Sequence, residues 1–342
     1  MSTKTVNGKE WNYNLMKIVF FGTPAYVVPV VEALNNTFGS KQNRAGVVAV
    51  VTQKPKPVGR KQILEYSPVD TWAYKKGVPK FFNPSNILKN KINADVGVLA
   101  SYGKIIPSEV INHFPYGIIN IHFSLLPELR GAAPIPATLI LGKKEAGVTI
   151  FKIDEILDHG PIISQFREEI HPEDTTGILM VRLFERSAEV LSTLIPAYLA
   201  GKITPREQDH DKATFARMII KEDAYIPPEF LNAALEGESF KGKWKIDFIK
   251  DYSLIPSAYS LERFIRAMQP WPQAWTYVQL GQSAKDKEQR RLKILESHLE
   301  SSPSTNSHLQ STKLVLDEVQ LEGKTPVTWK QFKEGHPEAT FS

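Results

Sequence analysis

Within Gly117-Ile118-Ile119-Asn120-Ile121-His122-Phe123-Ser124-Leu125-Leu126-Pro127, an amide and an imidazole stand two residues apart at the end of an apolar run. On an extended strand such residues share a face, so Asn120 and His122 project together while Ile119 and Ile121 point into the opposite layer. An amide N–H can donate to a developing oxyanion and an imidazole can carry a proton, which suits acyl transfer. A polar pair that merely satisfies its own loop backbone has the same sequence appearance, and both readings stand. Further on, Asp154-Glu155-Ile156-Leu157-Asp158-His159-Gly160-Pro161 lies between two strand-like runs, and Asp158 reads either as a turn initiator or as a reactive carboxylate. Between these segments, Leu129-Arg130-Gly131-Ala132-Ala133-Pro134-Ile135 is small and apolar enough to allow close backbone approach or to line a pocket.

Other chemistries lose support. The chain has no cysteine, which excludes thiol nucleophiles, thiolate metal sites and disulfides within it. Gly22-Thr23-Pro24 occupies the place of a dinucleotide-binding glycine fingerprint, but G-x-G-x-x-G is absent there, so nicotinamide chemistry is not indicated. No metal site is expected. The apolar stretch from Met16 to Leu34 is interrupted by Gly22, Pro24 and Pro29, which argues against a membrane span.

These polar residues need a scaffold, and 342 residues are enough for two domains. The hydrophobic fraction of 42% is adequate for packed cores. Strand-like runs at Met16–Phe21, Gly46–Thr52, Val96–Ala100, Gly117–Ile121 and Val148–Ile153 alternate with helical segments at Tyr26–Leu34, Pro68–Lys76, Pro84–Lys91 and Pro134–Leu141. That alternation predicts an α/β domain with a doubly wound, mostly parallel sheet, whose strand carboxyl ends are the usual ligand site. A long helix is predicted from Thr175 to Ala200, capped by Thr175 or Asp174 and ended by Gly201. The predicted division is a polar leader at 1–14, a catalytic domain at 15–202, a linker at 203–226 and a smaller β-rich domain at 227–342. In the last, a helix is expected at Ser260–Met268 and strands at Thr276–Leu280, Leu292–Leu295 and Leu314–Leu321. Ser301–Ser311 is polar and without period, and reads as a loop or insert.

The formal net charge is +5, unevenly placed. No acid falls between Glu32 and Glu65, whereas Lys41, Arg44, Lys54, Lys56, Arg60 and Lys61 do. Such a field fits a phosphate-bearing partner or a simple solvated loop.

Taken in order, these segments resemble the folate-dependent formyltransferase superfamily, and within it the branch that acts on methionyl-tRNA. The resemblance rests on Phe21-Gly22-Thr23-Pro24, Thr52-Gln53 with the basic loop, Ser67-Pro68-Val69, Ser101-Tyr102-Gly103-Lys104-Ile105-Ile106-Pro107 and Asn120-Ile121-His122. It continues through Ser124-Leu125-Leu126-Pro127, Arg130-Gly131-Ala132-Ala133-Pro134-Ile135, Gly147-Val148-Thr149-Ile150 and the Asp158 turn. Near the C-terminus Ile265-Arg266-Ala267-Met268-Gln269-Pro270-Trp271-Pro272 and Val319-Gln320-Leu321-Glu322-Gly323-Lys324 extend it, so that roughly residues 16–335 are covered.

The resemblance implies a Rossmann-like catalytic domain followed by an OB-like tRNA-binding domain. It implies that a formyl group passes from 10-formyltetrahydrofolate, the co-substrate, to the α-amino group of initiator methionyl-tRNA, without a metal. Asn120, His122 and Asp158 would be the catalytic trio. The folate would lie by Ser124, Leu125, Leu126 and Pro127 and by Val98, Leu99, Ala100 and Tyr102. Lys54, Lys56, Arg60 and Lys61 would meet the tRNA acceptor stem. The Leu126–Pro127 bond is expected to be cis, the protein cytoplasmic and monomeric. Two departures stand out: Phe123 replaces a small residue or proline, and the polar stretch between Leu295 and Leu314 predicts a reduced C-terminal barrel. Alternative readings are a formyltransferase for an amino sugar nucleotide or glycinamide ribonucleotide, a folate-bound hydrolase, and a tRNA-binding module without catalysis.

Overall fold

The computed structural model describes residues 3–6, 9–12, 16–40, 45–59, 61–238, 240–281, 288–302 and 311–341. Arg60 and the centre of the polar insert at 303–310 lie outside the described residues. The chain separates into two compact units. The first comprises Met1–Arg130, Gly147–Glu168 and Met180–Ala213; the second comprises Gly131–Ala146, Glu169–Leu179 and Thr214–Ser342.

The first unit is built on seven strands: β1 (Lys17–Gly22), β2 (Gly46–Val51), β3 (Lys80–Phe81), β4 (Val96–Ala100), β5 (Ile118–His122), β6 (Glu145–Lys152) and β7 (Ile162–Glu169). Their order is β7-β6-β5-β4-β1-β2-β3. The five strands from β3 to β5 pair in parallel, and β6 runs antiparallel to β5. The short apolar runs of β1, β2, β4 and β5 are almost wholly buried, which is what a parallel sheet covered on both faces requires. Strand order reverses between β1 and β4, so the doubly wound expectation holds.

Local signals set the helices. In α1 (Val28–Phe38), Val30, Val31, Leu34 and Phe38 recur at helical spacing and are buried. In α2 (Pro68–Lys76), Ser67 Oγ accepts from the Asp70 N–H at 3.0 Å, proline occupies the first turn and Gly77 closes the helix with φ 66°. Two further short helices are α3 (Asn86–Lys89) and α4 (Ser108–Ile111), and α5 (Pro134–Ile140) opens with Pro134. The long helix α6 (Thr176–Leu199) begins where Thr175 Oγ1 accepts from the Ile178 N–H at 3.2 Å. Thr175 is thus the cap, while Asp174 accepts from the His171 N–H at 2.7 Å in the preceding turn.

Three segments depart from expectation. Residues 1–14, read as a polar leader, contain an antiparallel pair, Thr3–Val6 with Lys9–Asn12. The basic loop is an antiparallel hairpin of Lys56–Val58 with Ile63–Glu65. The segment read as a linker is structured: Arg206 forms a bridge with Ile162 in the first unit, and Ala216 forms one with Ile249 in the second.

The second unit carries α7 (Pro228–Glu236), α8 (Ala258–Ala267) and an antiparallel sheet of β8 (Ala274–Leu280), β9 (Glu288–Ser302), β10 (Ser311–Leu321), β11 (Val327–Thr328) and β12 (Thr340–Phe341). The order is β11-β10-β9-β8-β12, and α9 (Trp329–Gly335) follows β11. Leu261, Phe264, Ile265, Leu292, Ile294, Leu314 and Leu316 are buried in its core. The polar stretch after Leu295 is strand and not a gap in the sheet: β9 and β10 stay paired out to Ser302 and Ser311. Alternation persists there in weaker form: Leu295, Ser297 and Leu299 are half-buried, the last two opposite the buried Leu316 and Leu314, while Glu296, His298 and Glu300 are exposed. Cross-strand pairs hold His298 and Glu300, with Lys313 2.6 Å from Glu300 and His298 2.9 Å from Asp317.

Candidate active site

Asn120 and His122 stand at the carboxyl end of β5, where the strand is flanked by β4 and β6: Leu99 lies opposite Asn120, Phe151 opposite Asn120, and Thr149 opposite His122. Both polar side chains are buried, as are Ile119 and Ile121 on the other face. The Asn120 amide oxygen has no hydrogen-bond partner among the described residues. A buried acceptor left unpaired is costly, so it is an opening for a donor on a bound molecule.

His122 Nε2 lies 2.9 Å from the Leu129 carbonyl oxygen, which can only accept, so Nε2 carries a proton and donates. The other ring nitrogen, Nδ1, faces Asp158 Oδ2 at 3.6 Å. A proton on Nδ1 therefore points at the carboxylate. Asp158 is also buried and adopts φ 51°, the left-handed region. The three residues singled out for acyl transfer thus come from two distant segments into one unit, and the structure brings the imidazole and the carboxylate face to face.

Arg130 sits beside them, 5% exposed, with Nη2 2.7 Å from both Gln208 Oε1 and His210 Nδ1. Burial pulls its guanidinium below its ordinary pKa, while the charges of Asp158 and Asp154 oppose that shift. The His210 ring stacks on His159 with centroids 3.9 Å apart, and His159 Nδ1 lies 2.7 Å from Asp154 Oδ2. Gln208, His210 and His159 carried no sequence signal. Gln208 and His210 lie in a charged segment without apolar period, and nothing in residue type separates them from neighbours such as Glu207 and Asp209.

The small residues after Arg130 serve backbone approach. In the second unit Gly131 has φ 117°, and a Cβ there would stand 2.3 Å from the Ala216 carbonyl oxygen. Ala133 N–H donates to that same oxygen at 3.3 Å.

The segment expected to meet folate is rigidly held. The Leu126–Pro127 bond is cis. Thr149 Oγ1 donates to the Ser124 carbonyl at 2.6 Å and accepts from the Leu126 N–H at 3.0 Å. Gln165 Nε2 donates to the Leu126 carbonyl at 3.0 Å, and the Ser124 hydroxyl donates to the Glu128 carbonyl. Leu125 and Pro127 are half-buried, but Leu126 packs with Phe151 and Ile162. Of the second group, Leu99 is half-buried, while the side chains of Val98, Ala100 and Tyr102 are in the core. Tyr102 packs edge-on against Phe21, and its backbone carbonyl accepts from Gln53 Nε2 at 3.0 Å and Thr23 Oγ1 at 3.3 Å. These three residues can offer a ligand backbone, not side chains. Phe123, the departure noted in the sequence, forms an edge-to-face pair with Phe184, which stacks on Tyr26.

Lys56 and Lys61 are exposed in the hairpin and Lys54 is exposed just before it, whereas the trio is buried. With them Val58, Ile63 and Leu64 are at least half exposed. In the second unit Trp275 is buried beneath the Arg291 guanidinium at 4.0 Å, whereas Trp271 is open to solvent.

A buried amide and imidazole at a strand end of a doubly wound sheet, with a buried carboxylate facing the imidazole, are groups that suit acyl transfer. The formyl transferase domain model matches residues 16–195 and the formyl transferase C-terminal domain model matches residues 253–337. The methionyl-tRNA formyltransferase of Listeria innocua is 38% identical over 271 residues, 78% of this chain and 76% of that one. That of Bacillus cytotoxicus is 37% identical over 278 residues, 79% of this chain and 78% of its own. The chain belongs to the formyl transferase family, in its methionyl-tRNA formyltransferase branch. In fold it is similar to an N-formyltransferase from Helicobacter canadensis solved with folinic acid and dTDP-3-aminofucose. That likeness has a TM-score of 0.59 at 16% identity and covers 88% of this chain and 98% of that one. No described helix is long and apolar enough to cross a membrane.

Proposed function

We propose that this chain transfers a formyl group from 10-formyltetrahydrofolate, its co-substrate, to the α-amino group of methionine carried on tRNA. The amine attacks the formyl carbon, a C–N bond forms, and the carbonyl oxygen becomes an oxyanion. Asn120 and protonated His122 stabilise that charge; Asp158 holds His122 and takes the proton from the attacking nitrogen, directly or through one water. The oxyanion then collapses to the new formamide carbonyl, the C–N bond to the donor nitrogen breaks, and the proton held by Asp158 passes to that nitrogen, directly or through one water, so that it leaves as a neutral amine. Asn120 is suited to both partners at once, since its unpaired oxygen can accept from the amine while its nitrogen donates to the oxyanion.

The observation that carries this reading is the 3.6 Å approach of His122 Nδ1 to Asp158 Oδ2, two residues along the strand from Asn120, in a chain of this family. The exposed basic hairpin supports a nucleic-acid acceptor. Selectivity for initiator tRNA, a cytoplasmic location and a monomeric state belong to the same proposal. Incubation with labelled donor and, separately, methionyl-tRNA, an amino sugar nucleotide and glycinamide ribonucleotide tests the acceptor. Label is expected on methionyl-tRNA. Label on a small amine alone would move the chain to a small-molecule formyltransferase, and formate release without acceptor would make it a hydrolase.

A further inference from the structure

Asp158 faces His122 from a backbone conformation that residues with a β-carbon avoid, at φ 51°. Such a conformation costs about 1–3 kcal/mol and persists only where the surroundings enforce it. The enforcing group is Gln208. Its Nε2 donates to the Asp158 carbonyl at 3.0 Å and to the Gly160 carbonyl at 2.8 Å, using both protons on the two sides of His159. Its Oε1 accepts from Arg130 Nη2 at 2.7 Å and Nε at 3.3 Å. Carbonyls only accept and a guanidinium only donates, so the amide has a single satisfied orientation. Gly160 leaves no slack on the opposite side, since a Cβ there would stand 2.0 Å from the Lys152 carbonyl oxygen.

The same short backbone step also holds the other partner. Leu129, which precedes Arg130, offers the carbonyl that fixes His122 Nε2. His122 is thus anchored by Leu129, and Asp158 by Gln208 through Arg130. Both reacting side chains are referenced to residues 129 and 130, although they lie 36 positions apart in sequence (158 minus 122). A polar residue 5% exposed with every hydrogen-bonding atom engaged is a costly element to place beside a turn.

We propose that Gln208, held by Arg130, is a positioning residue that sets the Asp158 carboxylate against His122 and thereby controls turnover. This rests on the reading of Asp158 as a catalytic residue. Misplacing a reacting group by about 1 Å costs about 10²-fold. Gln208→Met, which keeps the length and removes all four hydrogen bonds, should lower kcat about 10- to 100-fold and leave KM for both substrates within about twofold. Gln208→Glu keeps the acceptor for Arg130 but sets a carboxylate against two carbonyl oxygens, and should show the same split.

The test is a double-mutant cycle in single-turnover formylation of methionyl-tRNA, with Gln208→Met measured in the parent and in an Asp158→Asn background. The proposal requires a loss in the parent and no further loss in Asp158→Asn. Equal losses in both backgrounds, or a parallel rise in KM, would assign Gln208 a general structural role and overturn it. Should Gln208→Met fail to fold by circular dichroism, Gln208→Glu takes its place in the cycle. Full turnover of either folded Gln208 variant beside an impaired Asp158→Asn would also overturn the proposal while leaving the site intact. Full turnover of Asp158→Asn would instead remove the catalytic reading, and the positioning role with it.

Discussion

At the carboxyl end of β5, His122, Asp158, Arg130 and Gln208 are all buried and tied together. On the hairpin of Lys56–Val58 and Ile63–Glu65, lysines and apolar residues alike face solvent. Buried polar groups must find partners within the fold, so folding alone fixes their geometry and a substrate meets a finished site. The hairpin has no such internal reason for its composition. Val58, Ile63 and Leu64 at 50%, 66% and 56% exposure beside Lys56 and Lys61 suit a surface whose partner has both charge and stackable or apolar faces. On the proposed function, one region makes bonds and the other holds the acceptor.

Substitutions that separate the two roles follow from this contrast. His122→Ala removes the imidazole set against Asp158 and, on the proposed mechanism, the positive charge beside the oxyanion, and should lower kcat/KM by about 10²- to 10⁴-fold with tRNA binding retained. Loss of binding in parallel would blur the division. Asn120→Ala should cost about 10²- to 10³-fold in turnover with an unchanged melting temperature, since only one oxyanion donor is lost. Near-parent turnover would take Asn120 out of the mechanism.

The hairpin variants Lys56→Ala and Lys61→Ala, and Arg60→Ala on sequence grounds, should leave the chemical step alone. Each is expected to weaken tRNA binding and reduce the slope of log K against log salt by about one for every phosphate contact removed. An unaltered slope returns the hairpin to an ordinary solvated surface.

The smallest effect concerns the pairing of α1 with α2. Glu32 on α1 accepts from Lys76 Nζ at 2.7 Å and from the Trp72 indole, both on α2. The Lys76 bond first, then the indole, holds its carboxyl below its ordinary pKa. A depressed carboxyl stabilises the fold above its unfolded value, and the contribution fades as pH falls through the folded value. Glu32→Gln should therefore cost about 0.5 kcal/mol at pH 7, discounted because both partners are about one-third exposed. Thermal melts should show the difference closing in acid; a constant difference would assign the pair no electrostatic role.

The parts legible in the sequence are those with a period or a punctuation. β4 and α2 appear with their predicted bounds, because one is a short run without a polar residue and the other is bracketed by Ser67-Pro68 and Gly77. Asn120 and His122 were legible from a two-residue spacing on such a run. Gln208 was not, because a buried glutamine in a charged segment has no pattern until the bridge between Arg206 and Ile162 folds it inward. Tyr102 shows the reverse case: polar by type and near the site, it turns its ring into the core and burial raises its phenol above the ordinary value. The outer part of β9 was hidden because its half-buried face offers only Leu295 and Leu299 around Ser297, too few apolar residues to mark a period. Arg130 was visible only as part of a motif; its partners were not.

The central claim is that Asp158, set against His122, drives formyl transfer to methionyl-tRNA. It is tested most directly by comparing single-turnover formylation of methionyl-tRNA from labelled 10-formyltetrahydrofolate by the parent chain and by Asp158→Asn. The account predicts labelled formyl-methionyl-tRNA from the parent and a rate at least about 10²-fold lower from the variant, at equal melting temperature. Equal rates from the two chains, or no transfer by the parent, would contradict it.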